Sequence, residues 1–426
     1  MPGVIIAAPA SGSGKTTITL GLLRALHRRG VAVRGAKSGP DYIDPRFHQA
    51  ACNAPCFNLD AWAMHPDRIQ HLAQTEDLLI VEGAMGLFDG APPDGKGSCA
   101  DLARILNLPV ILVVDASRTA QSIAPLVAGF MNHDPSVKIA GVILNQVGSD
   151  RHERILRNAL KHVAVPVIGC LHRTKTLSHP SRHLGLVQAQ ERPDLDRFMD
   201  LAADSVASSV DLDYLVSIAA PLPDAQPSHQ LAPPAQRIAI AEDRAFAFAY
   251  PHVLKDWRAA GAEITTFSPL NDDPVPPCDF LFLAGGYPEL YAGQIANNHT
   301  FMQSIKNASE NADIYGECGG YMLLGDWLID ADGTRHKMAG LLRLETSFAT
   351  RKLHLGYRHL TCTQGALKGE WMAHEFHYAS TIKAQGPPLF QAQDAEGARL
   401  HDMGLVHNRV SGSFAHLIDR ATVSPD

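Results

Sequence analysis

The chain has 426 residues, 46% of them apolar and 19% charged, with a formal net charge of −7. That length exceeds one ordinary core, so two or three domains are expected. The mild acidity argues against a nucleic-acid binder, which presents a basic face, and no uninterrupted apolar run of about 18 residues suggests a membrane span. The seven cysteines (52, 56, 99, 170, 278, 318 and 362) show no CxxC spacing. Neither a disulfide framework nor a thiolate metal site is expected, and a reducing cytoplasm is the default compartment.

The N-terminal run MPGVIIAAPASGSGKTT has no basic segment before its apolar stretch. It reads as a first strand (4–9) and not as a signal peptide. A glycine-rich loop follows. Pro9 stands where the usual G-x-x-x-x-G-K-[ST] pattern has its first glycine, while Gly12, Gly14, Lys15, Thr16 and Thr17 remain. The apolar spacing of ITLGLLRALHRRG predicts a helix that stops at Gly30. Strand, loop and helix in this order suit a bound triphosphate. Backbone N–H groups and the helix N-terminus receive phosphate oxygens, Lys15 reaches the outer phosphates, and the Thr16 hydroxyl is placed for Mg²⁺.

Further apolar strands are expected at 31–37, 78–83, 109–115, 139–146 and 165–170, alternating with helices. Strands apolar throughout predict a parallel sheet covered on both faces. A hard cation wants carboxylate oxygens, and ligands of such sheets bind at the carboxyl ends of strands. Glu82, closing LLIVE, and Asp44, in KSGPDYIDP, are the favoured metal ligands with Thr16. Asp41, beside Tyr42, and Asp89, in GLFDG, divide evenly between the reacting centre and loop capping. Asn145 either reads the base or caps a loop.

Residues 221–236 are rich in proline and polar groups and read as a linker between domains at 1–220 and 237–426. Beyond it, strand-like runs recur at 237–243, 262–269, 279–286 and 313–318, then shorter β-like runs rich in histidine. In IYGECGGYML, glycines flank Cys318 at two-residue offset, as at a sharp strand-to-helix turn that exposes a nucleophile. Such a thiol needs a base, and His416 in GSFAHL is the candidate. The paired-glycine turn at Gly285 and Gly286, with Gly319, offers oxyanion donors. His374 and His377 lack HExxH spacing, so a zinc site is not expected.

Taken together, APASGSGKTT, KSGPDYIDP, VEGAMGLFDG, RHLGL (182–186), AGGYPE, YGECGGYM, HEFHY and SGSFAHL resemble the signature runs of the cobyrinate and hydrogenobyrinate a,c-diamide synthases. The resemblance implies an α/β protein. It has a dethiobiotin-synthetase-like, parallel-sheet P-loop domain and a class I-like glutamine amidotransferase domain. It implies ATP and Mg²⁺ as cofactors, glutamine and a corrinoid as substrates, and no nucleic-acid or membrane partner; a homodimer is compatible with it. Cys318 would be the glutaminase nucleophile and His416 its base. Asp44 and Glu82 would serve the metal, and Asp41, Tyr42 and Asp89 the acyl-phosphate centre. The corrin is expected at an interface between the domains that also carries the ammonia, with Lys37, Arg46, Arg182 and His183 as candidates for its other carboxylates. Ile418 stands where general class I glutaminases carry a glutamate, and Glu375 is a substitute orienter for the histidine. Cobyric acid synthases usually carry a Gln-Asn-Met stretch absent here, and partitioning-type ATPases carry a lysine where Ala10 stands. Cobalt-bearing and metal-free corrins, and nickel sirohydrochlorin, stay open.

Overall fold

In the first part of the chain, apolar strands alternate with helices. The order is β1 (Pro2–Ala7), α1 (Lys15–Arg28), β2 (Val33–Ser38), α2 (Asp44–Cys52), β3 (Phe57–Leu59), α3 (Pro66–Ala73), β4 (Leu78–Glu82), α4 (Cys99–Leu106), β5 (Val110–Asp115), α5 (Ile123–His133), β6 (Ile139–Val147), α6 (Asp150–Leu160) and β7 (Val167–His172). A two-residue pair, β8 (Ser181–Arg182) and β9 (Gly185–Leu186), then α7 (Leu195–Ser209), α8 (Leu212–Ile218) and β10 (Ala220–Pro221) complete it. This computed structural model describes residues 2–421 apart from 175–180, 183, 184, 187, 192, 193 and 227. It divides into two units, Met1–His229 and Gln230–Asp426.

The sheet of the first unit runs β3-β2-β4-β1-β5-β6-β7. Every pair along that path is parallel, and β10 adds an antiparallel bridge to the start of β1. Val4, Ile6, Ile80 and Ile111 are completely buried, as burial on both faces demands. The chain leaves β1 toward β2, returns through β4, and then crosses to β5 on the other side of β1. That reversal opens a crevice at the carboxyl ends of the central strands. The loops after β1, β2 and β4 all leave from that edge.

The second unit is built on a six-stranded sheet, β12-β11-β13-β14-β23-β22. Its strands are β11 (Arg237–Ala241), β12 (Glu263–Phe267), β13 (Phe280–Leu283), β14 (Asp313–Glu317), β22 (Leu405–His407) and β23 (Val410–Ser413), with helices α9 (Pro251–Ala259), α10 (Ala292–Asn297), α11 (His299–Ala308) and α12 (Gly319–Leu324). Two four-stranded sheets follow. One has the order β16-β15-β17-β20 and the other β21-β18-β19-β24. They comprise β15 (Trp327–Ile329), β16 (Arg335–Lys337), β17 (Arg343–Ser347), β18 (His354–Cys362), β19 (Gly369–His377), β20 (Ser380–Gln385), β21 (Gln391–Gln393) and β24 (Ala415–Arg420). The histidine-rich end of the chain supplies β18, β19 and β24.

The proline-rich stretch is shared between the units. Pro221 pairs with Pro2 of β1, and Leu222 is buried. Leu231 packs into the second core with Trp257 and Phe280, and its N–H donates to Asp256 Oδ2 at 3.0 Å. Among the described residues, no helix is long and apolar enough to cross a membrane.

The first unit's helical layer depends on close approach of α1 and α7. A Cβ added to Gly21 would lie 2.5 Å from Val206 Cγ2 and 2.7 Å from the Ala202 carbonyl oxygen. Since backbone cannot yield as a side-chain tip does, Gly21→Ala is expected to destabilise this unit by about 1–3 kcal/mol. Denaturant unfolding of the full chain, followed through the first unit, reads this shift. An unchanged midpoint would show that the two helices are not held at this distance.

Candidate active sites

The glycine-rich loop joins β1 to α1. Gly14 caps α1 with φ 89°, and Gly12 has φ 80°. A Cβ on Gly14 would also meet Asn145 Nδ2 at 2.2 Å. Positive φ and close approach therefore both require glycine at position 14. Asn145, at the end of β6, donates its Nδ2 to the Ser13 carbonyl at 2.9 Å and so braces the loop. No side chain caps α1 and no acid lies in its first turn. Its free N–H groups and the helix dipole thus favour an anion there. The Lys15 ammonium is buried and donates to the carbonyls of Ala10 and Met85. Burial, followed by repulsion from Lys37, lowers its pKa. Thr17 follows, half-buried, on the first turn.

Behind the loop lies a buried charge cluster. Glu82 is completely buried at the end of β4. Its Oε1 accepts from the Thr16 hydroxyl at 2.6 Å and from Lys37 Nζ at 2.8 Å, while Oε2 accepts from His48 Nε2 at 2.6 Å. Lys37 Nζ also donates to Asp44 Oδ2 at 2.6 Å. Burial opposes ionisation of Glu82, but Lys37 and His48 outweigh it and hold the carboxyl well below the usual range. Asp44 shares the Lys37 ammonium with Glu82. Burial, and then the neighbouring Asp41, push it up to about 7. Lys37 and His48 are both raised despite burial, Lys37 mainly by Asp44 and Glu82, His48 by Cys56 and Glu82. Two acids thus share one lysine, with Glu82 held down and Asp44 pushed up.

The neighbouring loops are tied down locally. Asp41 Oδ1 accepts from the N–H groups of Ile43 and Asp44 at 2.8 and 2.9 Å, and Asn58 Nδ2 donates to the Asp41 carbonyl at 2.7 Å. Tyr42 is half-buried in the same turn. Asp89 Oδ2 accepts from the Gly86 N–H at 2.9 Å, closing the loop after β4. Lys37 is no surface arm for a polyanionic ligand. It is buried, and its charge is committed to Glu82 and Asp44. Arg46 is half-buried on α2. His183 and the side chain of Arg182 lie outside the described residues.

In the second unit, Cys318 sits between β14 and α12 with φ 46° and ψ −98°. Its N–H donates to the Ser413 carbonyl at 2.8 Å. A Cβ on Gly320 would lie 2.1 Å from the Leu283 carbonyl oxygen, and one on Gly316 would lie 2.7 Å from the backbone of Gly320. The strained turn thus accounts for both flanking glycines. Burial, then the charge of Glu289, raises the thiol pKa, so Cys318 rests as a neutral thiol and needs a base. His416 lies on β24, completely buried, directly opposite His374 of β19. Its ring covers Gly285, where a Cβ would come 2.2 Å from His416 Cε1. Gly286 and Gly319 approach each other, a Cβ on Gly319 lying 3.0 Å from the Gly286 nitrogen.

Sequence reasoning left the partner of His416 at Glu375. The structure places Glu317 there, with Oε2 at 3.5 Å from His416 Nδ1 and Oε1 accepting from the Leu417 N–H at 3.0 Å. Glu375 is instead occupied by Arg358 and by His377 Nε2 at 2.9 Å. In sequence this acid stands next to the nucleophile, in the run GEC, and not beside the histidine. His48 and Asn58 were also missed. Both are buried and hydrogen-bonded, His48 to Glu82 and Asn58 to the carbonyls of Gly39 and Asp41, as buried polar groups must be.

Two consequences are measurable. His48→Ala leaves Glu82 Oε2 buried without its donor, which is expected to cost the first unit about 1–3 kcal/mol. Because Glu82 is held low, its contribution to stability is present above about pH 4.3 and is lost as pH falls toward the depressed value. Removing His48 raises that value, so acid unfolding of the first unit should begin at higher pH in the variant. Identical acid transitions would contradict the His48–Glu82 contact.

Comparison with known proteins agrees with both halves of this description. Residues 4–187 match the CobQ/CobB/MinD/ParA nucleotide binding domain, and residues 237–422 match the CobB/CobQ-like glutamine amidotransferase domain. The hydrogenobyrinate a,c-diamide synthase of Rhizobium meliloti (strain 1021) is 53% identical over 428 residues, covering 98% of this chain and 99% of that protein. The protein of the same name from Brucella anthropi is 54% identical over 431 residues, with 98% and 99% covered. That of Agrobacterium fabrum (strain C58 / ATCC 33970) is 49% identical over 429 residues, with 97% and 98% covered. With such identity running through both units, the chain belongs to the hydrogenobyrinate a,c-diamide synthase family.

Proposed function

We propose that this chain uses ATP and glutamine to convert the a and c side-chain carboxylates of hydrogenobyrinate into amides. The observation that carries this reading is the coexistence, in one polypeptide of this family, of a phosphate loop backed by the Glu82 cluster and a strained Cys318 turn whose preceding residue, Glu317, lies 3.5 Å from the buried His416. The metal-free ring is chosen because the relatives bear that name.

A carboxylate resists amines until one of its oxygens becomes a good leaving group. In the first unit, the substrate carboxylate attacks the γ-phosphorus of ATP, ADP departs, and an acyl phosphate forms. The loop N–H groups and Lys15 receive the phosphates, a task of positioning and charge stabilisation. The hydroxyl of Thr16, hydrogen-bonded to Glu82, and the carboxyls of Glu82 and Asp44 form an oxygen donor set that fits Mg²⁺. When bound, that ion neutralises phosphate charge. Asp41, Tyr42 and Asp89, in the loops after β2 and β4, border the acyl-phosphate centre. Asn145 serves the nucleotide through the loop that it braces.

In the second unit, His416 takes the Cys318 proton as Sγ attacks the carboxamide carbon of glutamine. The backbone N–H groups of Gly286 and Gly319, beside Gly285, receive the developing oxyanion. The proton passes to the departing nitrogen, ammonia leaves, and water hydrolyses the thioester to glutamate. Glu317, whose Oε2 lies 3.5 Å from His416 Nδ1, is the acid assigned to orient the ring, as the acid does in other nucleophile–histidine pairs. Ammonia then displaces phosphate from the acyl phosphate, giving the amide. All seven cysteines are unpaired, which supports a reducing, cytoplasmic setting.

ADP release measured with glutamine or with ammonium salts, against hydrogenobyrinate, separates the two half-reactions. Cys318→Ser is expected to lose glutamine-driven turnover by at least about 10³-fold while keeping ammonia-driven turnover. Loss of both by Cys318→Ser would break the two-site reading. Glu317→Gln should lower the glutaminase kcat by roughly 10²-fold or more with little change in KM. A rise in KM alone would show that Glu317 acts elsewhere. Running the same assay with the cobalt-bearing ring, and weighing the products by mass spectrometry, tests the choice of corrin.

A further inference from the structure

Residues Pro288–Leu290 form a short 3-10 turn after β13, in the run AGGYPEL. Pro288 seats this turn against the cysteine elbow, because a Cβ on Gly319 would lie 2.8 Å from Pro288 Cδ. The next residue, Glu289, is 8% exposed, and its Oε2 is buried without a hydrogen-bond partner among the described residues. A carboxylate in such a position is costly unless a donor or a cation meets it. Burial pushes it up to about 8, and its own N–H and the exposed Arg351 offset this only in part. Glu289 is also the charged group that most raises the Cys318 thiol. The proton path between Cys318 and His416 already has its orienting acid in Glu317, so Glu289 has no part there.

Glutamine brings what Glu289 lacks. Its α-ammonium lies four bonds from the carboxamide carbon that Sγ must reach, so a molecule seated for attack places a cation a short distance from the thiol. We propose that Glu289 is the specificity residue of the glutaminase centre and that its Oε2 accepts the α-ammonium of glutamine. This rests on the glutaminase reading of Cys318. The ammonium supplies both the donor and the countercharge, and the carboxylate in turn rejects amides without a cation at that position. A buried acceptor that a substrate must satisfy is a strong selector, because the wrong substrate leaves it unpaired.

The probe is glutaramate, which is glutamine with hydrogen in place of the α-ammonium. Ammonia release from both amides is measured with the full chain and with Glu289→Gln, which keeps the shape and removes the charge. The unaltered chain should prefer glutamine by at least about 10²-fold in kcat/KM. In Glu289→Gln, kcat/KM for glutamine should fall by about 10²-fold, mostly through KM, while that for glutaramate changes by less than about threefold. The preference therefore collapses. Equal losses on both amides would reduce Glu289 to a structural role and overturn the proposal, as would an unaltered KM for glutamine. Glu289→Asp, which keeps the charge, should retain the preference; if it loses it as fully as Glu289→Gln does, the proposal also falls. Ammonia release from glutamine by Cys318→Ser tests the underlying reading separately, since persistence there would remove the glutaminase centre whatever Glu289 does.

Discussion

The first unit is organised around a carboxylate that has no access to water. Glu82 closes β4 inside the protein and must be matched there. It is matched by Thr16 from the start of α1, Lys37 from the end of β2 and His48 from α2. These are the elements that carry the phosphate loop and the Asp41–Asp44 turn, so neutralising one charge sets the positions of all of them. An exposed ion pair would exert little such control, being worth at most about 1 kcal/mol. A buried one is costly to break, because removing one partner strands the other's charge away from water. Two acids share one lysine: Lys37 and His48 hold Glu82 well below the usual carboxylate range, while burial and the neighbouring Asp41 push Asp44 up.

The second unit solves a different problem with backbone. A thiol is placed at the tip of a turn that only glycine neighbours allow, and it is kept neutral by burial. The base and its acid approach from separate strands. His416 comes from β24 and Glu317 from β14, which also delivers the cysteine. Glu317, adjacent to Cys318 in sequence, thus lies 3.5 Å from the histidine ring. The neighbouring His374 is held down to about 3 by burial and by His416.

Much of this was legible in the sequence because the signals were local. Strands buried on both faces leave continuous apolar runs, and β1, β2, β4, β5, β6 and β7 all lie within or close to the predicted stretches. β3, three residues with a buried asparagine, carries no such signal, yet its Asn58 steadies the Asp41 turn. The phosphate loop and the cysteine turn showed because each needs glycines at fixed offsets. What stayed hidden depended on the direction of side chains. Lys37 ends an apolar strand and looks like a surface cation until its partners are seen. Position 418, where an acid was sought, holds a buried isoleucine whose carbonyl meets His252 at 2.8 Å. Glu289 lies in the AGGYPE run, but the burial of its Oε2 without a hydrogen-bond partner among the described residues shows only in the structure.

In the proposed reaction one unit activates an acid as a mixed anhydride for ammonia freed by the other. Labelling the corrin side-chain carboxylates with oxygen-18, and weighing the inorganic phosphate formed with ATP and glutamine, tests it most directly. The account predicts one labelled oxygen transferred to phosphate for each amide made. Amide formation with unlabelled phosphate would contradict it.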